Sequence, residues 1–321
     1  MPYMYGNVEK ALREAVEKGV SGKRIGVAFS GGLDSGLVSA IAKEYAESVT
    51  LYTCGTANAY DVVMARDLSQ KLGLPWVHVQ ISKGMIEGTL REMIEATGIS
   101  DPFTLSYELQ LFSVCKAAKE DIILTGQGAD EYFMGCAKFV NQTDRDYQIL
   151  KEDSVDRLLT VSVPAEYQIA GYFKKTLVYP YLDPGVVNEV EAIDSEELRP
   201  KDMDSRKSVL KEIAANMGHT AVLDRKKKSS QYGSGTTDLV RGIAKERGKM
   251  YNEYIADLYD SVTYGVPSKY RGSVINVRID SVVRAKAGKI LQENGLTPSE
   301  AVERMFLKII DEGNIDFLKK E

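Results

Sequence analysis

Phe29-Ser30-Gly31-Gly32-Leu33-Asp34-Ser35-Gly36 sits between an apolar run, Ile25-Gly26-Val27-Ala28, and a second one, Leu37-Val38-Ser39-Ala40-Ile41-Ala42. The first run reads as a buried strand and the second as the opening of a helix. Strand, glycine turn and helix N-terminus in succession make an anion site. First-turn N–H groups lack intrahelical acceptors, and the helix dipole is positive at that end. Gly31 and Gly32 allow close backbone approach, and Ser30 and Ser35 add hydroxyl donors. No lysine follows the glycines, so this is not a Walker A loop. An acid, Asp34, stands in the turn instead. A carboxylate facing phosphates makes chemical sense with a divalent cation between them, and Mg²⁺ fits.

A strand-to-helix turn that merely needs small residues is the plainer alternative. Against it, Ser-Gly-Gly-x-Asp-Ser is a long literal match. It resembles the pyrophosphate-binding loop of the ATP pyrophosphatases, which split ATP between the α and β phosphates. Asparagine synthetases, GMP synthetase, argininosuccinate synthetase and tRNA-thiolating enzymes share that loop, so the rest of the chain must choose among them.

Composition narrows the choice. The chain has 321 residues, 44% hydrophobic and 27% charged, which suits one large domain plus a smaller one. No apolar run has the length of a membrane span, and the N-terminus lacks a basic segment followed by an apolar core. Cys54, Cys115 and Cys136 are widely spaced and form no Cys-x-x-Cys, which disfavours Fe–S or zinc-dependent thiolation chemistry. A cytoplasmic location is expected. The net charge of −5 does not by itself suggest a nucleic-acid partner.

Around the loop, helical and strand patterns alternate. Residues 7–20 read as an amphipathic helix, 49–54 as a strand and 61–72 as a helix closed by Gly73. Residues 76–81 alternate like a strand, 85–97 and 105–118 are helical, and 121–125 form a further buried strand. This alternation predicts an α/β fold: a parallel sheet with helices on both faces, and ligands at the carboxyl ends of its strands. At the end of the fourth strand the chain reads Thr125-Gly126-Gln127-Gly128-Ala129-Asp130-Glu131-Tyr132-Phe133-Met134-Gly135. Asp130 would face Asp34 across the top of the sheet, giving a two-carboxylate Mg²⁺ site. An ordinary acidic first turn of a helix is the alternative.

This second stretch is similar to the Gly-Glu-Gly-Ser/Ala-Asp-Glu-x-Phe-x-Gly segment of the asparagine synthetase C-terminal domain. Tyr179-Pro180-Tyr181-Leu182-Asp183 resembles that family's Pro-Phe/Tyr-Leu-Asp. Lys207-Ser208-Val209-Leu210-Lys211 and then Asp224-Arg225-Lys226-Lys227-Lys228, followed by Gly233-Ser234-Gly235, resemble its Arg-x-Lys segment and glycine-rich turn. The resemblance implies an adenine nucleotide alpha hydrolase-like, PP-loop fold and an ATP- and Mg²⁺-dependent amide ligase. A carboxylate, aspartate or similar, would be activated as an acyl-adenylate, and an amine would then displace AMP. By motif position, Ala28, Cys54, Thr125 and Gly126 would line the adenosine pocket, and Ser30, Gly31, Gly32, Asp34 and Ser35 would hold phosphates. Asp34 and Asp130 would bind the metal, Lys227 would contact pyrophosphate, and Gln127 would lie beside the reacting carboxylate.

Three departures from the family pattern matter. Gln127 replaces the usual Glu, and Val178 replaces an Arg before the Pro-Tyr-Leu-Asp segment. Pro2 stands where glutamine-dependent members carry a cysteine, so free ammonia, another amine or a separate glutaminase is the expected nitrogen source.

Residues 1–262 thus form the synthetase-like domain, 263–273 a linker and 274–321 a small module. In the module, residues 274–280 alternate as a strand, with Ile275, Val277 and Ile279 on one side. One helix stops at Gly295. Thr297, Pro298 and Glu300 then cap another, whose apolar stripe runs through Val302, Phe306 and Ile310. One strand and two helices cannot bury a core alone, but two copies can if their strands pair. The module resembles the RelB/DinJ type of ribbon-helix-helix. That resemblance implies a homodimer and possible DNA contact through Asn276 and Arg278. A dimerisation clasp without DNA is the plainer alternative. Beside the ligase stand two other functions: a nucleotide-sensing DNA-binding regulator, and a tRNA-modifying adenylating enzyme.

Overall fold

The computed structural model describes residues 4–223, 233–265 and 277–318. Five parallel strands form one sheet: β1 (Arg24–Ala28), β2 (Ser48–Gly55), β3 (Trp76–Gln80), β4 (Ile122–Leu124) and β5 (Thr176–Val178), in the order β3-β2-β1-β4-β5. The central strand β1 pairs Ile25 with Val49 on one side and with Ile122 on the other. Side chains alternate across the sheet as its pleat requires. Ile25, Val27, Leu51 and Leu124 enter one apolar core, while Tyr52, Cys54 and Ile123 enter the other.

Helices α1 (Gly6–Val20), α2 (Leu33–Tyr45) and α3 (Tyr60–Leu72) cover the first face. On the second face lie α4 (Lys83–Thr97) and α5 (Pro102–Ala117). The chain then forms α6 (Ala129–Tyr132) and α7 (Asp144–Arg157). A π-helical turn, Leu158–Ser162, joins α7 to α8 (Val163–Tyr172), with Pro164 at the head of α8. Proline has no N–H to offer the preceding turn, and a widened turn is one way the backbone absorbs that loss. Next come α9 (Pro184–Glu191), α10 (Ser208–Asn216), α11 (Thr236–Glu246) and α12 (Tyr251–Thr263).

The strands and helices expected from the sequence are present, with several differences. β5 was not anticipated, because three residues are too few to show alternation. Helix α5 begins at Pro102 rather than Leu105, since the Asp101 carboxylate accepts the Thr104 N–H at 2.8 Å and caps it. The helical stretch around 239–259 is split in two, with Gly248 at φ +68° between the parts.

In the C-terminal module, α13 (Ser281–Glu293) and α14 (Pro298–Glu312) match the expected helices. Glu300 N–H donates to Thr297 Oγ1 at 3.2 Å and Thr297 N–H to Glu300 Oε2 at 2.7 Å, closing the capping box. The strand expected at 274–280 is not formed in its described part. Residues 277–280 carry no regular structure, and residues 274–276 lie outside the described residues. A ribbon strand takes its ladder from a second chain, so a single chain gives it nothing to pair with. Helix α13 lies on α7 through ion pairs of Arg284 with Asp153 at 2.7 Å, Lys286 with Asp146 at 2.9 Å and Lys289 with Glu152 at 3.4 Å. No residue of α14 is buried. Among the described residues no helix is long and apolar enough to cross a membrane.

Candidate active site

The carboxyl ends of β1, β2 and β4 open into a cleft of about 500 Å³. Helix α2 starts at Gly32 with no side-chain cap, so the first-turn N–H groups are not claimed by a capping side chain. Ser30 Oγ accepts the Gly32 N–H, and the Ser30 and Ser35 hydroxyls lie 3.3 Å apart. Gly31 has φ +66°, and a Cβ there would stand 2.6 Å from Ala65 Cα and 2.7 Å from Ala65 N. Only glycine fits that approach. Gly126 is packed on the same loop, 3.1 Å from Ser35 N by the same measure.

Asp34 at the head of α2 and Asp130 on α6 converge on one ammonium. Lys207 Nζ pairs with Asp34 Oδ1 and, at 2.6 Å, with Asp130 Oδ1. The Lys207 side chain is only 4% exposed. Burial works to lower its pKa, but the charges and hydrogen bonds of Asp130 and Asp34 outweigh burial and hold it above the ordinary lysine range. Both backbones that meet here are strained. Lys207 has φ +56° and Met134 φ +54°, in the left-handed region that side-chain-bearing residues avoid. Gly135 follows Met134, and a methyl at that position would overlap Asp130 Oδ1 and Lys207 Cε.

The third stretch buttresses the first two. Tyr181, fully buried, donates its hydroxyl to the Asp34 carbonyl at 3.0 Å and packs edge-on against Phe133. Asp183 does not reach the cleft. It caps α9 through Gly185 N–H at 2.9 Å. Val178 ends β5.

Of the residues singled out by sequence, Ala28, Ser30, Gly32, Asp34, Ser35, Cys54, Thr125, Gly126, Gln127 and Asp130 line the cleft. Gly31 stands behind it against α3. Burial pushes the Cys54 thiol up to about 12, so it is an inert lining group. Gln127 accepts the Tyr107 hydroxyl at 3.2 Å. Lys227 and Asn276 lie outside the described residues, and Arg278 is exposed away from the cleft lining.

Lys207 and Lys211 carry no signature of a role in the sequence. Both line the cleft with Arg206, so a cationic rim faces the loop. Glu108 and Glu166, buried on α5 and α8, were missed altogether. Nothing in helical periodicity separates a core-facing glutamate from a solvated one, and the π turn shifts the register that would set the facing of Glu166.

This arrangement can bind polyphosphate: an uncapped helix end, two hydroxyls and a cationic rim. The donor set also fits Mg²⁺, which takes one or two carboxylates and completes its shell with phosphates and water. Among the described residues no group of three acidic, histidine or cysteine side chains could hold a metal.

Fold and loop together define a nucleotide-binding α/β domain of the ATP pyrophosphatase type. The chain belongs to the asparagine synthase family, whose model matches residues 7–178. The RelB antitoxin family model matches residues 272–321. The chain is 26% identical over 295 residues to a putative glutamine-hydrolyzing asparagine synthetase of Methanocaldococcus jannaschii, covering 77% of this chain and 53% of that protein. It is 27% identical over 174 residues to asparagine synthetase B of Escherichia coli strain K12, covering 47% and 31%. The chain therefore spans about half the length of the first relative and less of the second.

Proposed function

We propose that the chain is an ATP-dependent, AMP- and pyrophosphate-forming carbon–nitrogen ligase. The observation that carries this reading is the convergence of Asp34 and Asp130 on buried Lys207 beside an uncapped helix N-terminus. A substrate carboxylate oxygen attacks the α-phosphorus of ATP, the bond to the bridging oxygen breaks, and pyrophosphate leaves. An amine lone pair then attacks the acyl carbon, the bond to AMP breaks, and the amine gives up a proton.

Lys207, Arg206 and Lys211 would neutralise charge that builds on the leaving pyrophosphate. Lys227 would join them. In support, Ser234, soon after Lys227 in sequence, lines the same cleft. Mg²⁺, held by Asp34, Asp130 and phosphates, would supply further neutralisation. Ala28, Cys54, Thr125 and Gly126 would bound the adenosine. The carboxylate is aspartate or a close relative, since the family members matched are named asparagine synthetases.

Pyrophosphate release from ATP and Mg²⁺, measured against a panel of carboxylates and amines with Asp34→Ala as control, tests the reading. A burst with one acid, absent in the variant, is the expected result. The RelB match and exposed Arg278 favour a second reading, a nucleotide-sensing DNA-binding regulator. ATP binding without pyrophosphate release from any acid, together with salt-dependent DNA binding lost in Arg278→Ala, would favour the regulator.

A further inference from the structure

Glu108 on α5 and Glu166 on α8 face the cleft from two helices of the second face. They are 2% and 4% exposed. Glu108 Oε1 and Glu166 Oε2 have no hydrogen-bond partner, and no ion pair reaches either carboxyl among the described residues. The Tyr179 hydroxyl lies beside Glu166 without a well-aligned hydrogen bond. Lys175 shares the surroundings of Cys115 with both acids, but its Nζ donates to the carbonyls of Ala118 and Glu120 at 3.0 and 2.8 Å.

Two buried acids without a counter-charge are costly, and structures retain them where a ligand supplies what is missing. Burial first, and then the mutual charge of the pair, pushes Glu108 up. Burial pushes Glu166 up to about 8; Tyr179 opposes it, and the charge of Glu131 adds a lesser upward push. The cleft thus holds both signs of charge. Arg206, Lys207 and Lys211 line it, and so does an acid pair without a counter-charge.

We propose that Glu108 and Glu166 form a subsite for a protonated nitrogen, an ammonium ion or a primary alkylammonium group. A primary alkylammonium has three donors and an ammonium ion four, and neither has an acceptor, which suits two carboxylates and the Tyr179 hydroxyl. Its bearing on catalysis rests on the ligase reading, in which the cleft must receive both a nucleotide and an amine. The nitrogen belongs either to the amine substrate or to the α-amino group of the carboxylate substrate.

The test is line broadening of ¹³C-methylammonium by the full chain in the presence of ATP and Mg²⁺. Ethanol serves as a neutral probe of similar size. Wild type should bind methylammonium, Glu108→Gln and Glu166→Gln should bind it about tenfold more weakly or worse, and ethanol should not bind. Displacement of methylammonium by aspartate but not by N-acetylaspartate would give the subsite to the acid substrate. Indifference to both would give it to the amine. A second readout needs no variant: the infrared band of a protonated carboxyl should change when methylammonium binds wild type.

Equal binding by wild type and both variants would overturn the subsite. So would a wild type that binds ATP but no ammonium. A protein that fails to bind ATP yet keeps the wild-type-to-variant difference would overturn the ligase reading alone.

Discussion

Removing the Lys207 ammonium would leave Asp34 and Asp130 facing each other with no cation between them. Breaking a buried ion pair from one side costs about 3–5 kcal/mol, so Lys207→Ala should lower stability in urea denaturation by roughly that amount. Glu166 makes an opposite forecast. Its folded pKa of about 8 lies above the ordinary carboxylate value of 4.5, so between those values the folded protein binds more protons than the unfolded one. Stability should therefore fall as pH rises through that window. Glu166→Gln should flatten the fall and be the more stable protein at its upper end, with Glu108, Glu131 and Tyr179 still present around it. A urea midpoint series across pH checks both the slope and its loss. Asp34 and Asp130 could be read from the sequence because each sits in a short local motif next to glycine. Lys207 and the glutamates could not be assigned that way. Their partners lie far along the chain, and a lone lysine or helical glutamate has the same local appearance whether buried or solvated.

At the level of elements, the turn ahead of α2 and the turn after α6 are each shaped by a glycine that leaves no room for a side chain. Gly135 is the tighter, because a methyl there would overlap both Asp130 and Lys207. Gly135→Ala should cost about 1–3 kcal/mol and displace Lys207 from the carboxylates, which denaturation and ATP titration of the same variant would show together. Capping chemistry was the most legible feature at this scale. Thr297, Pro298 and Glu300 announce the start of α14, and Gly313 at φ +63° ends it. β5 was hidden by its brevity, and the continuation of α7 into α8 was hidden by a π turn, whose register follows neither helical nor strand period.

Across the whole molecule, one apolar face of α14 lies exposed. Val302, Phe306 and Ile310 are 41%, 44% and 73% exposed, and Val277 and Ile279 ahead of α13 are also exposed. A second copy of the chain would bury them, as two ribbon-helix-helix modules do. Light scattering should therefore give a dimer for wild type and a monomer for Phe306→Asp with Ile310→Asp, while the far-ultraviolet spectrum stays the same. The parallel α/β architecture was legible because strand and helix patterns alternate for over a hundred residues. Which strand neighbours which was not, since β1 pairs with β4 across the whole span from Ile25 to Ile122. That pairing governs how the polypeptide can reach its native state. During synthesis β1 and β2 can meet early, but the other edge of β1 stays open until residue 122 has left the ribosome. Thr176 must emerge before the sheet is complete. Such distant closures slow folding and leave a bare hydrophobic edge in the interval, so the nascent chain has a long window in which chaperone capture competes with aggregation.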